Sequence, residues 1–408
     1  MALICASTAA LATEPAQLAK VLKTVCENPD ARPSELHALL GQQIYIHEAG
    51  PRRQVTYQEA SGADVSVVLS LFNGEVRRVN LSYSEPIAGA VYPVLSLQAG
   101  PSCAVTNGRR IERDASGTAL WLVHLDEALA DTDRREPLNP SVPDGKDPGG
   151  VTVAHIDSGV NYTLPEIAAR LARTPDGEAI GYDFWDLDKR PFDVDAARSP
   201  FYPLRHGTLV SSILVREAPD IRLIPYRYPR PDMSRMAEVL EHAAKNGAKI
   251  VAMPLGSNTE KNWTAFKDAA ARHAEMLFIV SAGNNGRNID EAPIYPAVFD
   301  LENLLVVTSS TISGRLAPGS NWGPNGVDLM VPAERVEVTD HRGARGFASG
   351  SSYAVPRVAA LAARLLAKNP GWTGAQVKAA IKDLAAPSFE RSGPKVRWGW
   401  IPNPADDG

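Results

Sequence analysis

Val151-Thr152-Val153-Ala154-His155-Ile156-Asp157-Ser158-Gly159 is the stretch on which the reading of this chain turns. Its first six residues show no polar–apolar alternation, which predicts a strand buried on both faces, and the run ends in a carboxylate followed by a glycine turn. The same pattern recurs downstream, where Ile221 to Tyr226, Lys249 to Leu255, Leu277 to Ala282 and Leu304 to Thr308 read as further buried strands. Helical periods lie between or after them, from Met233 to Lys245, Trp263 to Glu275 and Ser352 to Ala367. Strand and helix alternating in this way predict an α/β domain over 151–404, with a doubly wound, mostly parallel sheet covered on both faces. The tail Val396 to Ile401 is expected to pack as a final strand of it.

Upstream the pattern differs. Leu18, Val21, Leu22 and Val25 share one helical face, and Leu36, Leu39 and Leu40 share another, with Pro29 and Pro33 between the two helices. Strand-like runs follow at Gln43 to His47, Val65 to Phe72, Val76 to Tyr83 and Ala119 to Leu125, punctuated by Asn73-Gly74 and Asn107-Gly108. Asn73-Gly74 predicts a hairpin turn. Residues 13–128 are therefore expected to form a smaller α+β domain, and no chemistry is visible in them. Residues 129–150, rich in Pro, Asp and Gly, are expected to be a linker that a protease can reach. Residues 1–12 are small and apolar, with Ala10-Leu11-Ala12 before Thr13, and read either as a truncated secretory signal or as an Ala-rich terminus. Loss of that segment would remove Cys5 and leave Cys26 and Cys103 as a potential disulfide pair; buried free thiols are the other reading.

The 408 residues exceed one ordinary core, so two or three domains are expected. A hydrophobic content of 44% excludes a wholly disordered chain, and a net charge of -5 gives no attraction for nucleic acid. No apolar run reaches the length of a membrane-spanning helix. Neither a glycine-rich phosphate loop nor an HExxH pattern is present, which removes the support for nucleotide or zinc-protease chemistry.

Four places carry possible chemistry. Asp157 ends a strand, where an aspartate commonly caps a turn but can also hold a histidine. His206 opens a helix at His206-Gly207-Thr208, with one ring nitrogen available to a carboxylate and the other to act as a base. Asn284, in Ser281-Ala282-Gly283-Asn284-Asn285-Gly286, offers a side-chain amide at a strand tip, which alone reads as an ordinary turn. Ser352, in Gly350-Ser351-Ser352-Tyr353-Ala354-Val355-Pro356, sits where a long helix begins, and an N-cap serine is the plain alternative. Pro356 is expected in the first turn, where its missing N–H costs little.

Taken together, and in the order Asp, His, Asn, Ser, these motifs resemble the subtilase family from about Val151 to Pro402. Ala218-Pro219, Tyr295-Pro296-Ala297 and Ser320-Asn321-Trp322-Gly323-Pro324 add to the likeness. The resemblance implies a subtilisin-type sheet and a serine endopeptidase that needs no cofactor for its chemistry. Ser352 would be the nucleophile, His206 the general base, Asp157 its support, and Asn284 with the Ser352 N–H the oxyanion donors. Leu255, Gly256 and Gly283 would contact a protein or peptide substrate. Three positions depart from the family pattern: Leu209 replaces a second histidine, Ser351 replaces Thr, and Pro254-Leu255-Gly256 replaces Ser-Leu-Gly. Pro254 and Leu209 are the support for the alternative, an inactive subtilase-fold protein that binds peptides. By the same resemblance residues 13–128 would be a propeptide acting as an intramolecular inhibitor or a retained accessory domain. A periplasmic or secreted location is expected, with a cytoplasmic one open. No metal site is assigned, and structural calcium stays open because Asp183, Asp186, Asp188, Asp193 and Asp195 lack EF-hand spacing.

Overall fold

The computed structural model describes residues 14–29, 32, 35, 40–389 and 393–406. The leader expected over 1–12, and Leu36 and Leu39 of the expected second helix, lie outside the described residues. The chain divides into two compact units, the first running to Pro140 and taking in Ala196–Pro203, the second comprising Ser141–Asp195 and Leu204 onward.

In the first unit α1 (Glu14–Glu27) packs on an antiparallel meander of eight strands in sequence order, β1 (Gln42–Ala49), β2 (Arg52–Gln58), β3 (Asp64–Phe72), β4 (Glu75–Ile87), β5 (Ala90–Ala99), β6 (Val105–Arg113), β7 (Ala119–Leu125) and β8 (Asp131–Pro137). Leu18, Val21, Leu22 and Val25 are all buried, as the helical period requires, and the core they meet includes Val65, Val67 and Leu69 from alternate positions of β3. Asn73 and Gly74 both take positive φ, 52° and 77°, and join β3 to β4 as the hairpin expected there. A disulfide joins Cys26, in the last turn of α1, to Cys103, just beyond β5, with Cα atoms 6.3 Å apart. Within this unit the Arg109 guanidinium donates to the Phe201 carbonyl at 2.7 Å and lies 4.2 Å over the Tyr202 ring.

Several strands here differ from the sequence reading. Asn107-Gly108 does not separate strands but lies inside β6, because a side chain at 108 would meet the Leu125 Cβ at 2.9 Å and the strand can pass β7 only without one. β5 tolerates Pro93 beside a register shift at Tyr83/Ser84, where the ladder is already interrupted. β8 occupies part of the stretch read as linker; it is an edge strand with Asp133, Arg134 and Arg135 exposed, so it carries no apolar alternation. Beyond it, 141–150 is laid along the second unit, where Asp147 accepts from Arg222 Nη2 at 2.6 Å and from the Arg173 N–H at 2.6 Å.

The second unit is built on a seven-stranded sheet, all parallel, in the order β10 (Tyr182–Asp183), β11 (Ile221–Arg227), β9 (Val151–Asp157), β12 (Ile250–Met253), β13 (Leu277–Ser281), β14 (Leu304–Ser310) and β15 (Leu329–Pro332). Strands β12 to β15 are buried at every position, which is why they read as unbroken apolar runs. The short helix α2 (Pro165–Ala168) follows β9, and the covering helices are α3 (Gly207–Glu217), α4 (Met236–Lys245), α5 (Thr264–Arg272), α6 (Ser351–Lys368) and α7 (Gly374–Asp383). α6 lies against α3 and against β12, β13 and β14, and its buried Ala354, Ala359, Ala360, Ala362 and Ala363 permit the close approach. A two-stranded ribbon, β16 (Val336–Thr339) and β17 (Arg345–Ala348), precedes α6. The tail does not form a continuous strand: Trp400 bridges to Met330 of β15 and to Ala386, and the Met330 N–H donates to the Gly399 carbonyl at 3.0 Å.

Strand order reverses at β9, since the chain goes first to β10 and β11 on one side and then to β12 through β15 on the other. The carboxyl ends of β9 and β12 therefore open a crevice at the switch point, the place where doubly wound sheets collect functional groups.

Candidate active site

Asp157 closes β9 at that switch point and is 1% exposed. His206, the residue before α3, faces it, with Nδ1 2.8 Å from Asp157 Oδ2 and 2.9 Å from Oδ1. Gly207 permits this approach, because a Cβ there would fall 1.9 Å from the Gly159 carbonyl oxygen. With Nδ1 committed to the carboxylate, Nε2 is the free face of the ring, and 32% of the His206 side chain is exposed. Burial works against the imidazolium, but the Asp157 charge and hydrogen bond, with Asp193 and Asp195 behind them, carry His206 above the ordinary histidine value. Burial also opposes the Asp157 carboxylate, and the His206 charge and hydrogen bond, then His155 and the Ser158 N–H, hold it below the usual carboxylate range.

The first turn of α6 lies beside this pair, with the Tyr353 ring 6.0 Å from that of His206. Ser352 is the second residue of the helix, and its N–H has no partner among the described residues. Helix polarity adds positive potential at that point. The helix begins one residue before Ser352, so Pro356 is its sixth residue and not in the first turn as the sequence had suggested. Its missing N–H removes the i→i−4 bond to the Ser352 carbonyl, a loss inside the helix and not at its free end.

Asn284 comes to the same place from the loop after β13. Its Oδ1 accepts from the Ser351 N–H at 2.8 Å and the Ser351 hydroxyl at 2.9 Å. With the carbonyl end held, the Nδ2 end has no partner among the described residues and is left to donate. Gly283 (φ 97°) could not carry a side chain, because a Cβ would sit 2.6 Å from Asn321 Nδ2. Leu255 is half-buried and Gly256 exposed just beyond β12, where they line a cavity of about 140 Å³ with Tyr228, Arg230, Met233 and Trp263. Pro254, which has no N–H to offer a substrate strand, is buried.

Several residues of this region had no assigned role in the sequence reading. Ser158 Oγ donates to Asp193 Oδ1 at 2.7 Å and accepts from the Gly207 N–H at 2.9 Å and the His206 N–H at 3.2 Å. Asp193 also accepts from the Thr208 N–H at 2.9 Å, and burial raises its pKa. Ser351 fixes Asn284 and shares a 2.7 Å hydroxyl contact with Ser281. Asn321 shapes the Asn284 loop by donating to the Ala282 carbonyl at 2.8 Å and accepting from the Asn285 N–H at 2.8 Å. His155 is fully buried behind Asp157, 3.8 Å from its Oδ2, with Nε2 3.2 Å from the Gly207 carbonyl; burial lowers its pKa and favours the neutral ring. His155, Ser158, Thr208, Ser351 and Asn321 do fall within quoted motifs, which was the available signal; Asp193 was named only as part of an acidic run, with nothing in its neighbours to point to Ser158 or Thr208.

Three of the acidic residues from Asp183 are held in ion pairs. The buried Arg227 guanidinium reaches Asp183 at 2.8 Å and also pairs with Asp186. Arg190 reaches Asp188 at 3.1 Å. Among the described residues no group of three or more His, Cys, Asp or Glu is placed to hold a metal ion, and no helix is long and apolar enough to cross a membrane.

Comparison with known proteins follows the same geometry. The thermophilic serine proteinase of Bacillus sp. (strain AK1) is 30% identical over 257 residues, 59% of this chain and 57% of the relative. Subtilisin E of Bacillus subtilis (strain 168) is 27% identical over 243 residues, 58% of this chain and 60% of the relative. The chain thus spans less than two thirds of either relative's length. A solved lanthipeptide protease shares the fold with a TM-score of 0.53 at 21% identity, over 64% of this chain and 89% of that one. A model of the subtilase family matches residues 149–400, the span that holds Asp157, His206, Asn284 and Ser352, and on that match the chain belongs to the subtilase family.

Proposed function

We propose that this protein is a serine endopeptidase in which Ser352 forms an acyl-enzyme with peptide substrates. The observation that carries this reading is the two-oxygen hold of Asp157 on His206 Nδ1, which leaves Nε2 as the proton acceptor beside the start of the Ser352 helix. His206 takes the Ser352 hydroxyl proton as Oγ attacks the peptide carbonyl, and Asp157 stabilises the imidazolium without itself taking the proton. The oxyanion develops toward Asn284 Nδ2 and the Ser352 N–H, both oriented before reaction, so stabilising it needs little rearrangement. The proton passes from His206 to the leaving amine, and a water molecule, deprotonated in turn by His206, releases the acyl group.

Leu255, Gly256 and Gly283 are the backbone against which the substrate lies, as an added strand; no backbone hydrogen bond engages Leu255 or Gly256 among the described residues, so both are open to it. No cofactor enters these steps. We assign residues 13–140, β8 included, as an inhibitor or accessory domain joined through 141–150 to a catalytic domain of 151–404, in a protein that works outside the cytoplasm. Reaction of the purified protein with a fluorophosphonate probe, beside Ser352→Ala, tests the reading. Labelling of the wild type alone supports it, whereas absence of labelling in folded protein freed of residues 1–147 leaves a peptide-binding protein without catalysis. Intact mass after incubation reports whether the first domain is removed.

A further inference from the structure

The cavity of about 140 Å³ that Leu255 and Gly256 share with Tyr228, Arg230, Met233 and Trp263 combines apolar walls with one cation. Its other polar groups are mostly engaged. The Trp263 indole N–H donates to Ser257 Oγ at 2.9 Å, and the Tyr228 hydroxyl donates to Asp195 at 3.1 Å. Arg230 is exposed, and among the described residues no carboxylate pairs with it. The adjacent Asp232 is turned to its own loop, accepting from the Ser234 hydroxyl at 2.6 Å and the Ser234 N–H at 3.0 Å. The Asn262 amide, also on the cavity wall, is a second donor with no side-chain partner among the described residues.

The Arg230 guanidinium, 5.9 Å over the Tyr228 ring and without a carboxylate partner among the described residues, and the Asn262 amide on the same cavity call for an acceptor-only group, and a carboxylate suits both. Met233, Leu255 and Trp263 would meanwhile cover the methylenes leading to it. We infer that this cavity is a specificity subsite for an acidic residue of the substrate peptide, glutamate above aspartate because of its longer stem, with Arg230 as the selecting residue. The inference rests on the peptide-cleft reading of Leu255 and Gly256, and it names the substrate class that reading leaves open.

Binding and turnover separate the two. Fluorescein-labelled octapeptides carrying Glu, Gln or Lys at each position in turn are titrated by anisotropy against the full chain with Ser352→Ala, and unlabelled versions are then offered to the wild type. At one position Glu should bind about three- to tenfold more tightly than Gln, the range for a charge-assisted contact at a partly exposed site. Arg230→Glu should reverse the order in favour of Lys, and Arg230→Lys should keep a reduced preference for Glu. Equal binding of all three residues at every position, a preference that survives Arg230→Glu, or hydrolysis by the wild type that is indifferent to all three would overturn the subsite. Selection in binding without hydrolysis by the wild type would keep the subsite and remove the endopeptidase.

Discussion

The two units use strands in opposite ways. The eight strands of the first alternate in direction, so their carboxyl ends are shared between both edges of the sheet. The seven strands of the second run the same way, and every carboxyl end falls on one edge. Asp157 and the Asn284 loop therefore emerge on one side from β9 and β13, and α3 and α6 deliver His206 and Ser352 there by their amino ends. Parallel topology gathers polar groups and helix N-termini without any local instruction to do so, whereas a meander disperses its loops.

The hardest test of this contrast is Ser352→Ala. It should lower kcat by about 10⁵-fold or more while leaving thermal unfolding unchanged, because the triad acts as a unit and the hydroxyl supports no packing. Hydrolysis persisting in that variant would put the chemistry elsewhere, the first unit included.

Asn284→Ala should cost about 10²- to 10³-fold in kcat with little change in KM, as expected for a donor that acts on the oxyanion. Ser351→Ala, which removes the hydroxyl and leaves the backbone N–H as the remaining hold on the Asn284 carbonyl end, should cost about tenfold or less, well below loss of the donor itself, and Ser351→Thr should restore it. Equal losses in KM and kcat would point instead to general damage in the second unit.

The pH dependence sharpens the contrast further. Only neutral His206 accepts a proton, so kcat/KM should rise with pH and reach half its plateau above about pH 6.5, the ordinary histidine value. Stability should move the other way. The raised His206 pKa contributes stability below the unfolded histidine value, and this is lost as pH rises through the folded one. The depressed Asp157 pKa contributes stability above the unfolded aspartate value and loses it as pH falls through the folded one. Urea titrations against pH should show both limbs in wild type and smaller ones in Asp157→Ala/His206→Ala, where Asp147 and Asp340 still contribute to the acid side. An acid limb of kcat/KM centred below pH 6 would sink the assignment of His206.

Smallest in its effect on turnover is the double change Cys26→Ser/Cys103→Ser. Removing a bridge that closes a 77-residue separation should destabilise the first unit by about 2–4 kcal/mol. Fluorophosphonate labelling should be unchanged. A parallel loss of labelling would mean that the site depends on the first unit's integrity.

Within each unit, what could be read in advance was whatever the chain states over a few residues. β9, β11 and β14 were legible because burial on both faces removes alternation, and α1 because Leu18, Val21, Leu22 and Val25 repeat at helical spacing. β6 and β8 were not, since Gly108 answers to Leu125 across the ladder and an exposed edge strand has no apolar period. At the site, Asp157, His206, Asn284 and Ser352 each lie in a short motif. Asp193, 35 residues from the Ser158 hydroxyl it accepts from, and Arg230, at the rim of a cavity with Leu255 and Trp263, have no local signature.

The sequence by itself determined the parallel α/β class of the second unit, the antiparallel character of the first and the four chemistry-bearing motifs with their order. All of these are periodicities or contiguous strings fixed by backbone preference and burial. Only the tertiary structure decided that Ser351 turns the Asn284 amide, that Ser158 and Asp193 hold the start of the His206 helix, and that Arg230 lines the Leu255 cavity. Those facts depend on side chains that meet across dozens of residues. Such a meeting is set by how helices and strands pack, and no local period records it.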